Sequence, residues 1–187
     1  MTRTVRPLSR ARSRTSKHLM AVLALAGGLA LAAVPSAPAS ADQPGPWQPF
    51  HSNPFTDQAG DVCAFTLHGD PVVDHEQIRT LAVDGSGVPT EQEITGELVV
   101  RYTDEANGRF ADENLTGTAW ISHHPDGSQT WVVAGHLGLG IHAGNPYAPQ
   151  GYSVLTGRIA LRITADHHPY LLAHEGPTED LCATLAG

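Results

Sequence analysis

Short segments of alternating apolar and polar residues, separated by turn-forming sequences, run through most of this chain. The clearest is ITGELVVRYTD, residues 94–104, in which Ile94, Leu98, Val100 and Tyr102 occupy alternate positions. Successive side chains of a β-strand point to opposite faces, so this alternation predicts a strand with one buried face. Turn sequences such as DGSGVP and DEANG punctuate the pattern, and helical periodicity is almost absent. The sequence therefore predicts an all-β fold, a small antiparallel β-barrel or β-sandwich of about 7–8 strands.

The C-terminal sequence GPTEDLCATL predicts one short helix at the end of this fold. Pro177 suits the first turn of a helix, because the N–H that proline lacks is not needed there. Leu181 and Leu185 are four residues apart and would share one apolar helix face.

The sequence HPDG, residues 124–127, is a turn signal between two strand-like segments. Proline suits the second position of a type I turn, and glycine suits the position that needs a positive φ. We therefore expect Thr116–His124 and Gln129–Leu137 to pair as an antiparallel hairpin. In that register Ile121 lies opposite Trp131.

Glycines loosen the alternating pattern beyond the hairpin. The run GHLGLGIHAG, residues 135–144, matches neither the dinucleotide-binding G-x-G-x-x-G pattern nor the P-loop that binds phosphates. We expect Gly138–Gly151 to form the most mobile long loop, since loops of about 14 residues in compact domains are commonly functional or disordered. A ligand gate would lie there, and the candidate ligand contacts are His136, His142 and Tyr147.

The first 41 residues carry the three parts of a secretory signal peptide. Six Lys and Arg residues without any acid come first, an apolar run from Leu19 to Val34 follows, and a small-residue cleavage site ends at Ala41. The apolar run is shorter than the roughly 20 residues of a membrane-spanning helix, which favours cleavage over anchoring. We therefore expect a secreted, extracellular protein whose mature chain begins at Asp42.

The predicted organisation has three parts. Residues 1–41 form the signal peptide, and residues 42–60, rich in Pro, Gln and Asn, form an irregular N-terminal arm whose aromatic residues dock on the core. Residues 61–187 form a single β domain, which has enough chain to bury a sizeable core. We expect this domain to be a monomer.

Loss of the signal peptide changes the charge balance of the chain. All 19 acidic residues but only five of the 11 Lys and Arg residues lie beyond Ala41, so the mature chain has a formal net charge of −14 and no Lys. Nucleic acids and anionic membrane surfaces are bound by clustered basic residues. We therefore exclude nucleic acid and, after signal cleavage, membranes as partners, and we retain small molecules and extracellular proteins.

Cys63 and Cys182 are the two cysteines of the chain. In an exported protein, a pair of cysteines typically forms a disulfide. Their separation is not the C-x-x-C spacing of a redox site, so we expect a structural bridge that joins the two ends of the β domain.

Ten of the eleven histidines lie beyond Ala41, which raises the question of a metal site. Zinc and copper need several imidazoles that converge from neighbouring strands. The sequence has no H-x-H pair, and its two HH pairs, at 123–124 and 167–168, stand beside prolines at predicted turns. It also has no G-x-S-x-G nucleophile motif. We therefore assign no metal ligand, cofactor or catalytic residue.

The order of these features resembles that of a family of small secreted proteins from high-GC actinobacteria. The resemblance rests on an early strand with a cysteine, the HPDGS hairpin, the segment GYSVLTGRIAL and the terminal DLCATL, and it covers most of residues 61–185. It implies secretion and a β fold bridged between Cys63 and Cys182. It transfers no catalytic residue to this chain.

Two classes of function fit these observations. The first is a secreted, non-enzymatic module that binds a small apolar ligand or a partner. The alternative is a barrel enzyme that uses His, Asp or Glu as acid–base groups, or a His-based metal-binding protein. A buried acid or histidine with a shifted pKa inside an apolar cavity would favour an enzyme, whereas a filled interior with surface histidines would favour binding or structure. We favour the non-enzymatic module.

Overall fold

The computed structural model describes residues 43–187, so the predicted signal peptide and its cleavage site lie outside the described residues. Within this range the alternating segments form ten β-strands and one short helix, which confirms the all-β prediction. The elements are β1 (Gln48–Pro49), β2 (Phe55–Asp57), β3 (Leu67–Val83), β4 (Pro89–Asp104), β5 (Phe110–Asn114), β6 (Gly117–His123), β7 (Gln129–Ile141), β8 (Gly151–Ile163), β9 (Pro169–Glu175), β10 (Thr178–Asp180) and α1 (Leu181–Ala186). Between residues 43 and 187, no helix is long and apolar enough to cross a membrane.

The C-terminal helix is present, but it begins later than predicted. Asp180 caps it, since its carboxylate accepts a hydrogen bond of 3.0 Å from a backbone N–H of the first turn. Leu181 and Leu185 are buried, as their spacing predicted. Pro177 lies outside the helix because the next three residues pair with β8 as strand β10.

The ten strands form one antiparallel sheet in the order β1-β3-β4-β6-β7-β8-β10. Three long strands each have two partners along one edge: β3 pairs with β1 and β2, β4 with β5 and β6, and β8 with β9 and β10. Among the described strands, no pairing joins β1 or β2 to β9 or β10. The sheet is therefore open and is not closed into a barrel.

The β6–β7 hairpin has the predicted register, with Ile121 opposite Trp131. Gly127 adopts a φ of +82°, and its N–H donates to the carbonyl of His124 at 2.9 Å. The HPDG sequence therefore forms the turn that its residue types favour.

The predicted mobile loop Gly138–Gly151 is wrong in its first part. Strand β7 continues to Ile141, with Gly138 opposite Val154 of β8, so the connecting loop spans only residues 142–150. Gly138 is a glycine because two side chains approach its backbone closely, and not because the segment is a flexible loop. A Cβ atom at Gly138 would lie 2.6 Å from the Tyr102 hydroxyl and 2.8 Å from the Tyr152 hydroxyl, so only glycine leaves room for these groups.

A line of glycines crosses the sheet at its middle, and we call it the glycine row. Each member lies beside the next, and the row consists of Gly96, Gly117, Gly135 and Gly157 on β4, β6, β7 and β8, followed by Gly176 in the connection between β9 and β10. At Gly135 and Gly157 φ is +126° and +116°, a region that residues with a Cβ rarely adopt. A Cβ atom at Gly157 would also collide with the Glu175 carbonyl oxygen of the next strand. The row therefore interrupts regular strand geometry across four neighbouring strands at once.

The sheet is split beyond the glycine row, and its two parts face each other across the interior. In one part Tyr102 of β4 lies opposite Ala111 of β5, in the other Tyr152 of β8 lies opposite Gly140 of β7, and among the described strands no pairing joins β5 to β7. The ring centroids of Tyr102 and Tyr152 are 5.1 Å apart, so the sheet folds over and the two parts pack together there. Two apolar clusters fill the folded sheet, one around Val62, Leu67, Tyr102, Tyr152, Leu181 and Leu185, the other around Val133, Leu139, Leu155, Ile159 and Leu161.

The predicted disulfide between Cys63 and Cys182 is present, with the two Cα atoms 5.4 Å apart. Cys63 lies in the connection between β2 and β3, and Cys182 lies in α1. The bridge therefore holds the C-terminal helix against the start of the domain, where Leu181 and Leu185 belong to the first apolar cluster.

Removal of the disulfide is expected to destabilise the domain strongly. The bridge closes a loop with a sequence separation of 119 residues. Loss of a cross-link over a loop of this length costs about 4–5 kcal/mol in the chain-entropy model. Urea denaturation of the double variant Cys63→Ala/Cys182→Ala should show a loss of this order. A midpoint equal to that of the oxidised protein would show that the bridge does not constrain the chain.

Candidate ligand-binding site

The N-terminal arm, residues 43–60, docks along β3 and covers part of the folded sheet. The segment expected to be irregular contains the two short strands β1 and β2. Between them, the N–H of Phe50 donates to the carbonyl of Glu76 at 3.0 Å. Phe55 lies opposite Gly69, and its ring occupies the space that a side chain at Gly69 would fill. Phe55 therefore docks on the core as expected, whereas Trp47 is exposed and stacks with Arg79.

A cavity of about 370 Å³ lies between the arm and the sheet, and we call it the arm cavity. Five aromatic side chains line it, namely Phe50, Phe55, Tyr102, Trp131 and Tyr152. Aliphatic side chains from two strands, β4 and β7, complete the apolar wall, namely Ile94, Leu98, Val100, Val133 and Leu137. Small-molecule sites are typically concave and largely apolar, with volumes of about 300–1,000 Å³ and a few polar groups. The arm cavity has these properties.

Glu76 on β3 supplies a carboxyl group to the wall of the arm cavity. Its Oε2 accepts a hydrogen bond of 2.7 Å from the Ser52 hydroxyl, and the Ser52 backbone N–H donates to Asp74 at 2.9 Å. Burial raises the pKa of the Glu76 carboxyl and the nearby Asp74 carboxylate raises it further, while the Ser52 hydrogen bond and His51 oppose the shift. Both carboxyl groups therefore hold the arm in place, and Glu76 also borders the cavity.

The hydroxyl groups of Tyr102 and Tyr152 form a hydrogen-bonded pair, 2.9 Å apart, at the far side of the cavity. Burial raises the pKa of Tyr102 to about 12 and the pKa of Tyr152 well above its usual range, so both stay protonated at physiological pH. One hydroxyl donates to the other, which leaves one phenolic proton for another acceptor. The pair can therefore donate one hydrogen bond to a bound molecule.

The structure places one of the three predicted ligand contacts at this cavity. His136 on β7 lines it, with Nδ1 3.1 Å from the Thr156 hydroxyl. His142 lies in the loop after β7, with Nε2 3.5 Å from a carboxylate oxygen of Asp57. Tyr147 packs against another tyrosine ring at the surface and is 56% exposed. His142 and Tyr147 do not join His136 in the arm cavity.

Sequence reasoning missed Ser52 and Glu76. An isolated Glu within an alternating strand normally points to solvent, so nothing marked Glu76 as a cavity residue. The arm sequence could have indicated that this segment covers a site, because Phe50 and Phe55 are apolar aromatic residues in a segment otherwise rich in Pro, Gln and Asn. Large apolar residues in such a segment need a surface to cover.

The histidine pairs are engaged locally rather than gathered into one site. Nε2 of His123 lies 2.8 Å from the Gln92 side chain, and Nε2 of His124 lies 2.8 Å from the Thr130 hydroxyl. Among residues 43–187, no three His, Cys, Asp or Glu side chains are placed together to hold a metal ion.

Comparison with known proteins assigns neither a family nor a function to this chain. Neither a protein-family model, nor a curated protein, nor a solved structure matches the chain. The resemblance to small secreted actinobacterial proteins therefore stays a prediction, and the function is inferred from the arm cavity.

Substitution of Glu76 by Gln is expected to stabilise the protein at high pH. The pKa of Glu76 is higher in the folded state than its usual value of 4.5, so the folded state loses stability as pH rises through this pKa. Gln keeps an oxygen for the Ser52 hydroxyl and carries no charge. The melting temperature of E76Q should exceed that of the native protein at pH 8, and the difference should disappear near pH 3.5.

The matched control is Glu105→Gln, which removes the same charge from an exposed position outside the cavity. It should show no comparable gain at pH 8. Lower stability of E76Q at pH 8 would contradict the prediction, because it would mean that the Glu76 charge has a favourable partner in the folded protein.

Proposed function

We propose that this protein is a secreted, non-enzymatic binding protein that holds a small, largely apolar molecule in the arm cavity. The observation that carries the proposal is the cavity itself, an apolar space of about 370 Å³ bordered by few polar groups. Removal of apolar ligand surface from water supplies about 25 cal/mol per Å² as the driving force. Glu76, His136 and the tyrosine pair would fix the orientation of the ligand.

The arm provides the route by which a ligand enters. It is held to β3 by the two- and three-residue strands β1 and β2 and by the hydrogen bonds of Ser52. These contacts lie at one edge of the sheet, so the arm can open without breaking the pairing of β3 with β4. Short, edge-located elements open at low free-energy cost compared with the core.

Secretion is part of the proposal and is supported by the disulfide. Structural disulfides form and persist in oxidising compartments, outside the cytosol. The sequence of residues 1–41 supplies the export signal that such a location requires.

Filling the arm cavity is expected to abolish binding without unfolding the protein. Ala119 on β6 lines the cavity, so Ala119→Phe would occupy it, at a stability cost of about 1–3 kcal/mol. The neutral apolar dye N-phenyl-1-naphthylamine, whose fluorescence rises when it leaves water, is the probe. The native protein should bind the dye, and A119F should bind it at least about tenfold more weakly.

The control for this experiment is Ala134→Phe, the same substitution on the exposed face of the adjacent strand β7. A134F should bind the dye like the native protein. Equal binding by A119F and the native protein, with both folded by circular dichroism, would place the dye elsewhere and reject the arm cavity as the site.

A second candidate is an enzyme that uses Glu76 as an acid–base group. The raised pKa of Glu76 beside an apolar cavity favours it, since such shifts are common at catalytic sites. The hydrogen-bond partner of the Glu76 side chain is Ser52, which belongs to the arm, and this arrangement suits holding the arm and a ligand better than proton transfer.

Native mass spectrometry of protein recovered from the culture medium distinguishes the two candidates. The full chain, expressed with residues 1–41, should appear as a species that begins at Asp42 and contains the disulfide. A binding protein should carry one added mass in its native form, and any ligand that remains on E76Q, at equal or lower occupancy, should have the same mass. Different added masses would indicate substrate in one form and product in the other, and would favour the enzyme.

A further inference from the structure

We infer that the ligand of the arm cavity is a small organic cation, an ammonium group on an apolar body, held by Glu76 and the surrounding aromatic rings. This inference rests on the proposed binding function and specifies its ligand class. It follows from three features of the cavity wall: an unpaired carboxyl group, a set of aromatic faces, and the absence of fixed positive charge among the lining residues.

Glu76 is a carboxyl group without a cation. Within residues 43–187 it forms no ion pair, and its side chain accepts a hydrogen bond only from the uncharged Ser52 hydroxyl. Glu93 on the neighbouring strand is paired in the usual way for a partly buried carboxylate, because Arg79 donates a hydrogen bond to it at 2.7 Å. A carboxylate beside an apolar space is unfavourable unless it is paired. A bound ammonium group would supply the missing partner through a charge-assisted hydrogen bond.

The aromatic rings that line the same cavity as Glu76 favour the same ligand. Five of them line the cavity, and two of these, Phe50 and Phe55, belong to the arm. The face of an aromatic ring attracts a cation within about 6 Å, and several rings around one space are the arrangement by which proteins bind organic ammonium ions. The same rings provide the apolar contact that the body of the ligand needs.

The remaining charged groups disfavour an anionic ligand. None of the residues that line the cavity is Lys or Arg. Asp74 lies beside Glu76 on β3, and the basic side chains at the wall are the imidazoles of His51 and His136. An anion would therefore meet the Glu76 carboxyl group, with Asp74 beside it, and no permanent positive charge among the lining residues, so repulsion would disfavour its binding.

Three matched ligands test the inference, namely 4-phenylbutylammonium, 4-phenylbutan-1-ol and 4-phenylbutanoate. They share one apolar body and differ in charge, and each is measured at pH 8 by displacement of N-phenyl-1-naphthylamine from the purified protein. The cation should bind about tenfold more tightly than the alcohol, as a charge-assisted hydrogen bond predicts, and the carboxylate should bind more weakly than the alcohol. In E76Q the cation and the alcohol should bind equally, whereas E105Q should keep the native preference.

Each result supports or rejects a defined statement. If the alcohol binds and the cation binds no more tightly, the ligand class is wrong while the cavity remains a binding site. If E105Q loses the preference as E76Q does, the preference comes from net charge and the role of Glu76 is rejected. If neither the dye nor any of the three ligands binds, the proposed function itself fails. The comparison in the native protein needs no variant, so it decides the ligand class even if E76Q does not fold.

Discussion

The glycine row is the constraint on which the rest of the structure depends. At this row the partner of β4 changes, since β4 pairs with β6 as far as Gly96 and with β5 from Val99 onward. At Gly135 and Gly157 the backbone adopts positive φ values, and the neighbouring strands approach too closely for a Cβ. Beyond this line β5 and β7 are not paired among the described strands, so the part of the sheet with β4 and the part with β8 can face each other. The contact between Tyr102 and Tyr152, and the enclosed space beside it, lie between these two parts.

The arm cavity follows from this folding, since the folded sheet encloses more space than its own side chains fill. The arm covers the remaining opening with Phe50 and Phe55 and is fixed by carboxyl groups of β3. Among the described residues, one of these carboxyl groups, Glu76, forms no ion pair, and burial raises its pKa. The folded state therefore disfavours the charged form of this group, whereas Glu93 on the next strand is paired with Arg79.

Local sequence signals predicted those features that local interactions determine. The HPDG turn sets the register that places Ile121 opposite Trp131, and a chain with two cysteines can form only one intramolecular bridge. Gly138 was interpreted as flexible because the reason for it, the Tyr102 hydroxyl, comes from a distant part of the chain. The glycine row and the place of Glu76 are also non-local, since they depend on which strands become neighbours and on where the arm docks. Alternation within one segment contains none of this information.

The disulfide also changes what a single break in the backbone can do. Cys63 and Cys182 enclose nearly the whole β domain in one covalent ring. If a protease cuts one peptide bond inside that ring, both fragments stay attached through the two sulfur atoms. The strands on either side of the cut keep their neighbours at high local concentration, because the ring limits how far the fragments can separate. Release of a piece of the domain from this region therefore takes two cuts or a reductant.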